Sequence, residues 1–294
     1  MDWLVFTPAA RRAAVLQLMR SAGRTLMLSV FRCDDLTIVD ELAAAVARGV
    51  RVRILITRRA RGWKRKLTRL TALLQSTGAE VLRYKNPAMK YHAKYVIADD
   101  GPALVTSLNF TTKCFETTCD FLVFTDDADI VSGLKRLFEA DCADGAAFPD
   151  GLTERLIVGP EQSRPRLRRL FAEAGSSIRI IDHRVTDPEI LAILAEKQRQ
   201  GVAVQVARHG RISGLLCHGR MILIDEKTAI IGSTHLSRPS LDLRREVAIV
   251  TKESGLVTEL SDFFQSLAID DYDLTDWPTV PATSPADEDD DEDE

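Results

Sequence analysis

Two histidines in this 294-residue chain head matching polar patterns. His92 is followed by Lys94, Asp99, Ser107, Asn109 and Asp120, and His218 by Arg220, Asp225, Ser233, His235 and Glu246. After the two-residue step to Lys94 or Arg220, the spacings from the histidine are 7, 15, 17 and 28 residues in both copies. An imidazole can attack an electrophile or carry a proton near neutral pH. The ammonium, guanidinium, hydroxyl and amide groups around it are donors suited to anionic oxygens. Together they suit chemistry at a phosphate. A phosphodiester is anionic and has a poor leaving group. One imidazole can attack phosphorus and form a phosphohistidine. A second must protonate the leaving oxygen, then deprotonate the incoming water or alcohol. Neither pattern supplies both roles, so the two must meet.

Roles follow from residue type. His92 is assigned the nucleophile because its pattern is the more complete, and His218 the acid and base; the reverse assignment stays open. Lys94 and Arg220 are to hold the phosphoryl oxygens as charge builds on them. The planar fork of arginine can bind two oxygens, although it is longer and bulkier than lysine. Ser107, Asn109, Ser233 and His235 are further donors to phosphate. The part taken by His235 depends on which ring nitrogen carries its proton.

Hairpins are expected to position these groups. Residues 95–98 and 103–105 are apolar, with Asp99-Asp100-Gly101-Pro102 as turn chemistry between them. A two-residue turn at Asp100 and Gly101 places His92 opposite Asn109 and Lys94 opposite Ser107. The equivalent turn at Glu226 and Lys227 places His218 opposite His235 and Arg220 opposite Ser233. Side chains two apart on a strand share a face, so each hairpin would present one polar cluster. Asp99 and Asp225 have the wrong parity for that face and read as supporting residues that hydrogen-bond at the turn.

The paired pattern, HAKYVIADDGPALVTSLN and then HGRMILIDEKTAIIGSTH, resembles the phospholipase D superfamily motif His-x-Lys-x4-Asp-x6-Gly-Ser-x-Asn. The resemblance covers two halves, residues 1–269. Thr106 stands at the motif glycine of the first copy; Arg220 and His235 stand at the lysine and asparagine of the second. The resemblance implies an α/β fold of two duplicated lobes, each a mixed β-sheet flanked by helices. It implies a pseudo-twofold with the active site at the lobe interface, and neither metal nor cofactor. It also implies that an acidic residue at Asp120 and Glu246 orients a histidine through its other ring nitrogen. Asp120 is one methylene shorter than the usual glutamate. The activity implied is that of a phosphodiesterase or phosphatidyl transferase acting on phospholipid. A metal-independent nuclease of the same superfamily stays open. So does a degenerate, polyanion-binding pseudoenzyme, given Thr106, Arg220 and His235.

The duplication extends beyond the motifs. Pro8, Gly23 and Gly49 match Pro160, Gly175 and Gly201 at an offset of 152, while the motifs sit at an offset of 126. The first copy therefore holds about 26 extra residues between Leu55 and His92. The organisation expected is an N-terminal lobe over 1–142, a C-terminal lobe over 152–269 and an acidic tail over 272–294. Apolar periodicity predicts helices over 9–22, 34–48, 64–76 and 129–140, and strands over 25–30, 50–56, 80–83 and 121–125. The second half repeats this without the helix at 64–76. Such alternation implies sheets covered by helices on both faces. The chain is expected to be a monomer with an internal pseudo-dimer.

Composition bounds the rest. The apolar fraction of 45% is ordinary for a soluble protein. No apolar run reaches the length of a membrane span, and the opening MDWLVFTPAARR lacks a secretory pattern. A cytoplasmic location, peripheral at the membrane, is expected. Five scattered cysteines read as free thiols. Residues 270–294 hold twelve of the 43 acidic residues and none of the 39 Lys and Arg, so the other 269 residues carry a formal +8. A basic body suits an anionic phosphodiester substrate, phospholipid or nucleic acid. Nine Lys or Arg and no acid fall within 51–69. Arg58, Arg59, Lys64, Arg65 and Lys66, with Trp63 among them, are expected to contact a membrane surface. The closing acidic tail has no periodicity and reads as disordered. His183 and His209 have no partner at motif spacing and read as incidental.

Overall fold

The computed structural model describes residues 1–58, 64–143, 147–208 and 210–267. Arg59, Arg61, Trp63, His209 and the acidic tail lie outside the described residues. The first half runs β1 (Asp2–Val5), α1 (Pro8–Ser21), β2 (Thr25–Val30), α2 (Leu36–Ala47), β3 (Arg51–Ile56), α3 (Lys64–Ser76), β4 (Glu80–Arg83), β5 (Lys90–Tyr91), β6 (Tyr95–Ala98), β7 (Ala103–Thr106), α4 (Thr112–Glu116), β8 (Thr118–Cys119), β9 (Leu122–Thr125) and α5 (Ala128–Cys142). The second runs β10 (Leu156–Val158), α6 (Ser163–Glu173), β11 (Ser177–Ile181), α7 (Pro188–Arg199), β12 (Ala203–Ala207), β13 (Arg211–Ile212), β14 (Leu215–Cys217), β15 (Met221–Ile224), β16 (Thr228–Gly232), α8 (Arg238–Leu243), β17 (Arg244–Arg245), β18 (Val247–Thr251) and α9 (Ser254–Gln265).

Each half builds one mixed sheet. The first is ordered β1-β9-β7-β6-β2-β3-β4 and the second β10-β18-β16-β15-β11-β12. Helices α1, α2 and α3 cover the outer face of the first sheet, with Val15, Met19, Ile38, Leu42 and Leu74 packed over Leu26, Leu28 and Ile54. Helices α6 and α7 do the same for the second through Leu167, Phe171, Ile190 and Leu194. The inner faces share one core. Tyr95, Ile97, Val105 and Val123 meet Met221, Leu223, Ile231 and Ile249, together with Leu134 and Phe138 of α5 and Leu256 and Leu260 of α9. Strands buried on both faces are near-continuously apolar, as YVIA and MILI are. Each such side chain contributes roughly 1.5–3 kcal/mol on burial. The lobes are thus joined by core and not by a linker alone.

The motif hairpins differ by one residue from the expected register. Tyr95 pairs with Val105 and Ile97 with Ala103, and the Thr106 N–H donates to Lys94 O at 3.2 Å. Lys94 therefore lies opposite Thr106, not Ser107. In the second hairpin Met221 pairs with Ile231 and Ile224 with Thr228, which removes the expected pairing of Arg220 with Ser233. The turns hold three residues. Asp99 and Asp225 adopt left-handed φ values of 50° and 54°. Their carboxylates cause this. Asp99 accepts from the N–H groups of Gly23, Arg24 and Thr25 at 2.7–2.8 Å. Asp225 accepts from Gly175, Ser176 and Ser177 in the same way. Each aspartate is thereby taken out of its strand and ties the hairpin to the start of β2 or β11.

Candidate active site

Two short ladders cross between the halves and build the site. Strand β5 runs parallel to β17, pairing Tyr91 with Arg245, and the His92 N–H donates to Arg245 O at 2.9 Å. Strand β8 runs parallel to β14, pairing Cys119 with Cys217, and the Gly219 N–H donates to Cys119 O at 2.6 Å. The residues that follow are brought side by side: His92 beside Glu246, and His218 beside Asp120. His92 Nδ1 lies 3.0 and 2.9 Å from the two carboxylate oxygens of Glu246. His218 Nδ1 lies 2.9 Å from both oxygens of Asp120. The carboxylates are exchanged, each holding the histidine of the other half. The shorter Asp120 reaches because the backbones are close. A Cβ on Gly219 would stand 2.3 Å from Cys119 O, so this approach requires glycine.

The carboxylates are ionised. Burial alone would raise Asp120. The His218 charge, with hydrogen bonds from His218, Thr118 and Ser107, outweighs it and holds Asp120 well below the usual range. Burial would raise Glu246 too, but His92, then Lys94 and Arg244, bring it down to about 2. An Nδ1–H donated to a carboxylate leaves Nε2 for chemistry. Lys94 Nζ sits 3.0 Å from His92 Nε2 and 2.9 Å from His92 O. An ammonium only donates, so His92 Nε2 presents its lone pair.

Arg220 takes a different partner. Its Nε donates to His235 Nε2 at 2.9 Å, its Nη2 meets the same nitrogen, and its Nη1 donates to Ser107 O at 3.1 Å. A guanidinium only donates, so His235 Nε2 accepts and its Nδ1–H donates to Asp182, at 2.6 Å. Asp182 also accepts from the N–H groups of Leu236 and Arg184. His235 thus spends both nitrogens on protein. The serines are likewise engaged: Ser107 Oγ donates to Asp120 at 2.7 Å, and Ser233 Oγ accepts from the Val247 N–H at 3.1 Å. Of the four expected phosphate donors, Asn109 alone keeps a buried side-chain atom, Oδ1, with no hydrogen-bond partner.

Sequence reasoning missed Phe31, Asp182 and His183. His183, read as incidental, lies among the rings of the site. Its ring centroid is 4.8 Å from that of His235 and 6.2 Å from that of His218. Burial, then His235 and Arg220, push it down to about 2, so it is neutral, and its Nδ1 has no hydrogen-bond partner. Phe31 stands 152 residues earlier, at the equivalent end of β2, with its ring against His92 at 4.7 Å. The ends of parallel strands are where open α/β sheets bind ligands, and that was the available signal.

Two groups bring three ligand atoms within 4.8 Å: Asp182, His183 and His235, and Cys114, Asp120 and His218. Neither fits an ion well. Both nitrogens of His235 are engaged, Asp120 is bonded to His218, and burial raises the Cys114 thiol away from the thiolate a metal needs. Of the basic stretch, Arg58 lines a cavity of about 500 Å³ with Tyr84, Asp141, Glu161 and Arg245. Lys64, Arg65 and Lys66 are exposed on the first turn of α3. No helix among the described residues is long and apolar enough to cross a membrane.

A family model described as cardiolipin synthase, PLD-like domain, matches residues 15–142 and 207–268, well over half of the chain. Among solved structures, polyphosphate kinase from Porphyromonas gingivalis is similar with a TM-score of 0.73 at 20% identity, over 90% of this chain and 50% of that one. This chain thus spans half the length of that kinase. Phosphatidylserine synthase from Haemophilus influenzae Rd KW20 is similar with a TM-score of 0.69 at 11% identity, over 89% of this chain and 85% of that one. At these identities the likeness is one of fold. No curated protein matches the sequence.

Proposed function

The chain belongs to the family of phospholipase D-like domains, and from that premise we propose that it cleaves a phosphodiester through a phosphohistidine, acting on phospholipid. One observation carries the reading: two imidazoles are each bound at Nδ1 by a buried carboxylate of the other half, which makes Nε2 the nitrogen for chemistry. In the first step His92 Nε2 attacks phosphorus and the bond to the leaving oxygen breaks. His218 gives that oxygen its proton, and an alcohol departs. In the second step His218 takes a proton from water or an acceptor alcohol. The new oxygen attacks phosphorus, the N–P bond breaks, and His92 is regenerated with a phosphomonoester or a new diester as product.

Lys94 and Arg220 act on the non-bridging oxygens. The ammonium that rests on His92 Nε2 shifts to a phosphoryl oxygen as the nucleophile engages. Arg220 is presented by His235, which Asp182 holds in turn. The two departures of the second motif touch each other, which supports a working clamp over a decayed one. The exposed cations Lys64, Arg65 and Lys66 suit peripheral contact with an anionic bilayer.

The test is a quenched reaction on labelled phospholipid vesicles, run beside labelled oligonucleotides, with wild type and His92→Ala. Acid-labile label on wild type from lipid, and none on His92→Ala, is the expected result. Label from the oligonucleotide alone would transfer the same mechanism to a nuclease. A full chelator-sensitive loss restored by a divalent ion would overturn the two-histidine mechanism.

A further inference from the structure

The helix that the second half lacks, α3, walls a cavity of about 570 Å³ with Arg32, Cys33, Asp34, Thr111 and Lys113. Its own contribution is Lys66, Arg69, Leu70 and Leu73. Four cations against one acid give this cavity a net positive lining. The volume lies within the usual range for small-molecule sites, roughly 300–1,000 Å³. Its apolar wall is aliphatic, with Leu70 buried and Leu73 half-buried.

One ring links a residue of the cavity lining to the reaction centre. Phe31 has its ring against His92 at 4.7 Å, and the Arg32 guanidinium carbon lies 5.4 Å from the same ring. Lys94 and Lys90 also stand over that ring, at 5.2 and 5.5 Å. Phe31 therefore stands between the His92–Lys94 pair and Arg32, a residue of the cavity lining. Arg32 is buried at 6% exposure, which fixes one positive charge in place beside that ring.

We infer that this cavity binds an aliphatic phosphate ester, that is, an anionic phospholipid whose phosphate meets Arg32, Arg69 and Lys113 and whose chains lie on Leu70 and Leu73. The inference rests on the proposed phosphodiester chemistry and names a second ligand subsite beside it. A basic cluster alone would suit any polyanion. The leucines decide for lipid. Single-stranded nucleic acid is held by stacking on aromatic side chains, and none is among the described residues that line this cavity. An acyl chain gains free energy with each methylene it buries, which an aliphatic wall supplies.

The experiment measures equilibrium binding of monomeric dihexanoyl phosphatidic acid to full-length His92→Ala protein, in which turnover is blocked. Arg69→Ala with Lys113→Ala, the first exposed and the second half-buried, should raise Kd about a hundredfold, about tenfold for each lost charge-assisted contact. Leu73→Asn should raise Kd for this lipid and leave that for glycerol 1-phosphate unchanged. Equal Kd with and without Arg69→Ala and Lys113→Ala would overturn the subsite. Glycerol 1-phosphate or tripolyphosphate binding as tightly as the lipid would make it a plain anion site and overturn the lipid assignment. Binding needs no phosphohistidine, so failure of the labelling experiment above leaves this result standing, and loss of binding leaves labelling to be judged alone.

Discussion

The two halves put different chemistry at matched positions. In the first, Lys94 rests on the histidine of its own motif; in the second, Arg220 reaches past His218 to His235. The longer side chain has a longer support, since Asp182 holds His235 and a carbonyl of the first half, Ser107 O, takes a second guanidinium nitrogen. At the motif glycine the contrast is steric. A Cβ on Gly232 would stand 2.2 Å from Val247 O and 2.5 Å from Ala248 Cα, so that position admits nothing larger. Thr106 occupies the same place in the first half, where its Oγ1 donates to Phe121 O at 3.0 Å and accepts from the Leu108 N–H at 2.9 Å. Phe31 against His92 corresponds to His183 against His218. A duplicated frame therefore tolerates replacements made in contacting sets. In the proposed reaction one imidazole attacks while the other moves protons.

The sharpest way to test that division is to remove each imidazole separately. His92→Ala should lower turnover about 10⁴-fold or more, in line with loss of a nucleophile. His218→Asn should slow turnover to a similar extent but still form phosphohistidine from a diester with a good leaving group, since that group needs no proton. Label trapped on His218 in the His92 variant would exchange the two roles.

Arg220 comes next. Arg220→Ala should cost about 10²–10³-fold in turnover, the range for a lost transition-state donor. Arg220→Lys should retain more. Coupling Arg220→Lys with His235→Asn recreates the pair found in the first half, and should recover activity over Arg220→Lys by about 1 kcal/mol. Wild-type turnover in Arg220→Ala would mean the second half supplies no clamp, and would favour a polyanion-binding role.

The exchanged carboxylates predict a smaller effect, on stability. Glu246 titrates at about 2 in the fold against an ordinary value of 4.5. A depressed carboxylate contributes stability that is complete above its unfolded value and is lost as pH falls through the folded one. Roughly 3 kcal/mol should therefore disappear between pH 4.5 and about 2. Denaturant midpoints across that window should fall steeply for wild type and less so for Glu246→Gln. Parallel curves would mean that the fold does not hold the Glu246 carboxylate ionised.

The smallest effect distinguishes the two motif glycine positions. Thr106→Gly removes two hydrogen bonds without opening a clash, and should cost about 1–2 kcal/mol in thermal or denaturant unfolding. A gain in stability would mean that the threonine strains its hairpin.

Much of the fold was legible because it rests on local signals. The helix over 64–76 and the strands over 25–30 and 80–83 follow from apolar periodicity, and α2 is capped by Asp35, whose side chain accepts from the Ile38 N–H. The motif spacing picked out both histidines, both carboxylates and the two cations. The hairpin register was not legible, because it turns on Asp99 and Asp225 leaving their strands to bind N–H groups about 75 and 50 residues away, respectively. His183 was hidden for another reason: its counterpart is Phe31, so repetition gave it no mark.

By itself, the sequence determined the two histidines, two carboxylates and two cations that gather at the candidate site, since residue type and spacing are local properties that survive duplication. Only the tertiary structure decided who serves whom. Glu246 holds His92 and Asp120 holds His218 because β5 pairs with β17 and β8 with β14 across the two halves. Ladders this short carry no periodic pattern of their own. They form because the shared core of the inner sheet faces brings the edges together, and that contact joins residues 154 and 98 positions apart.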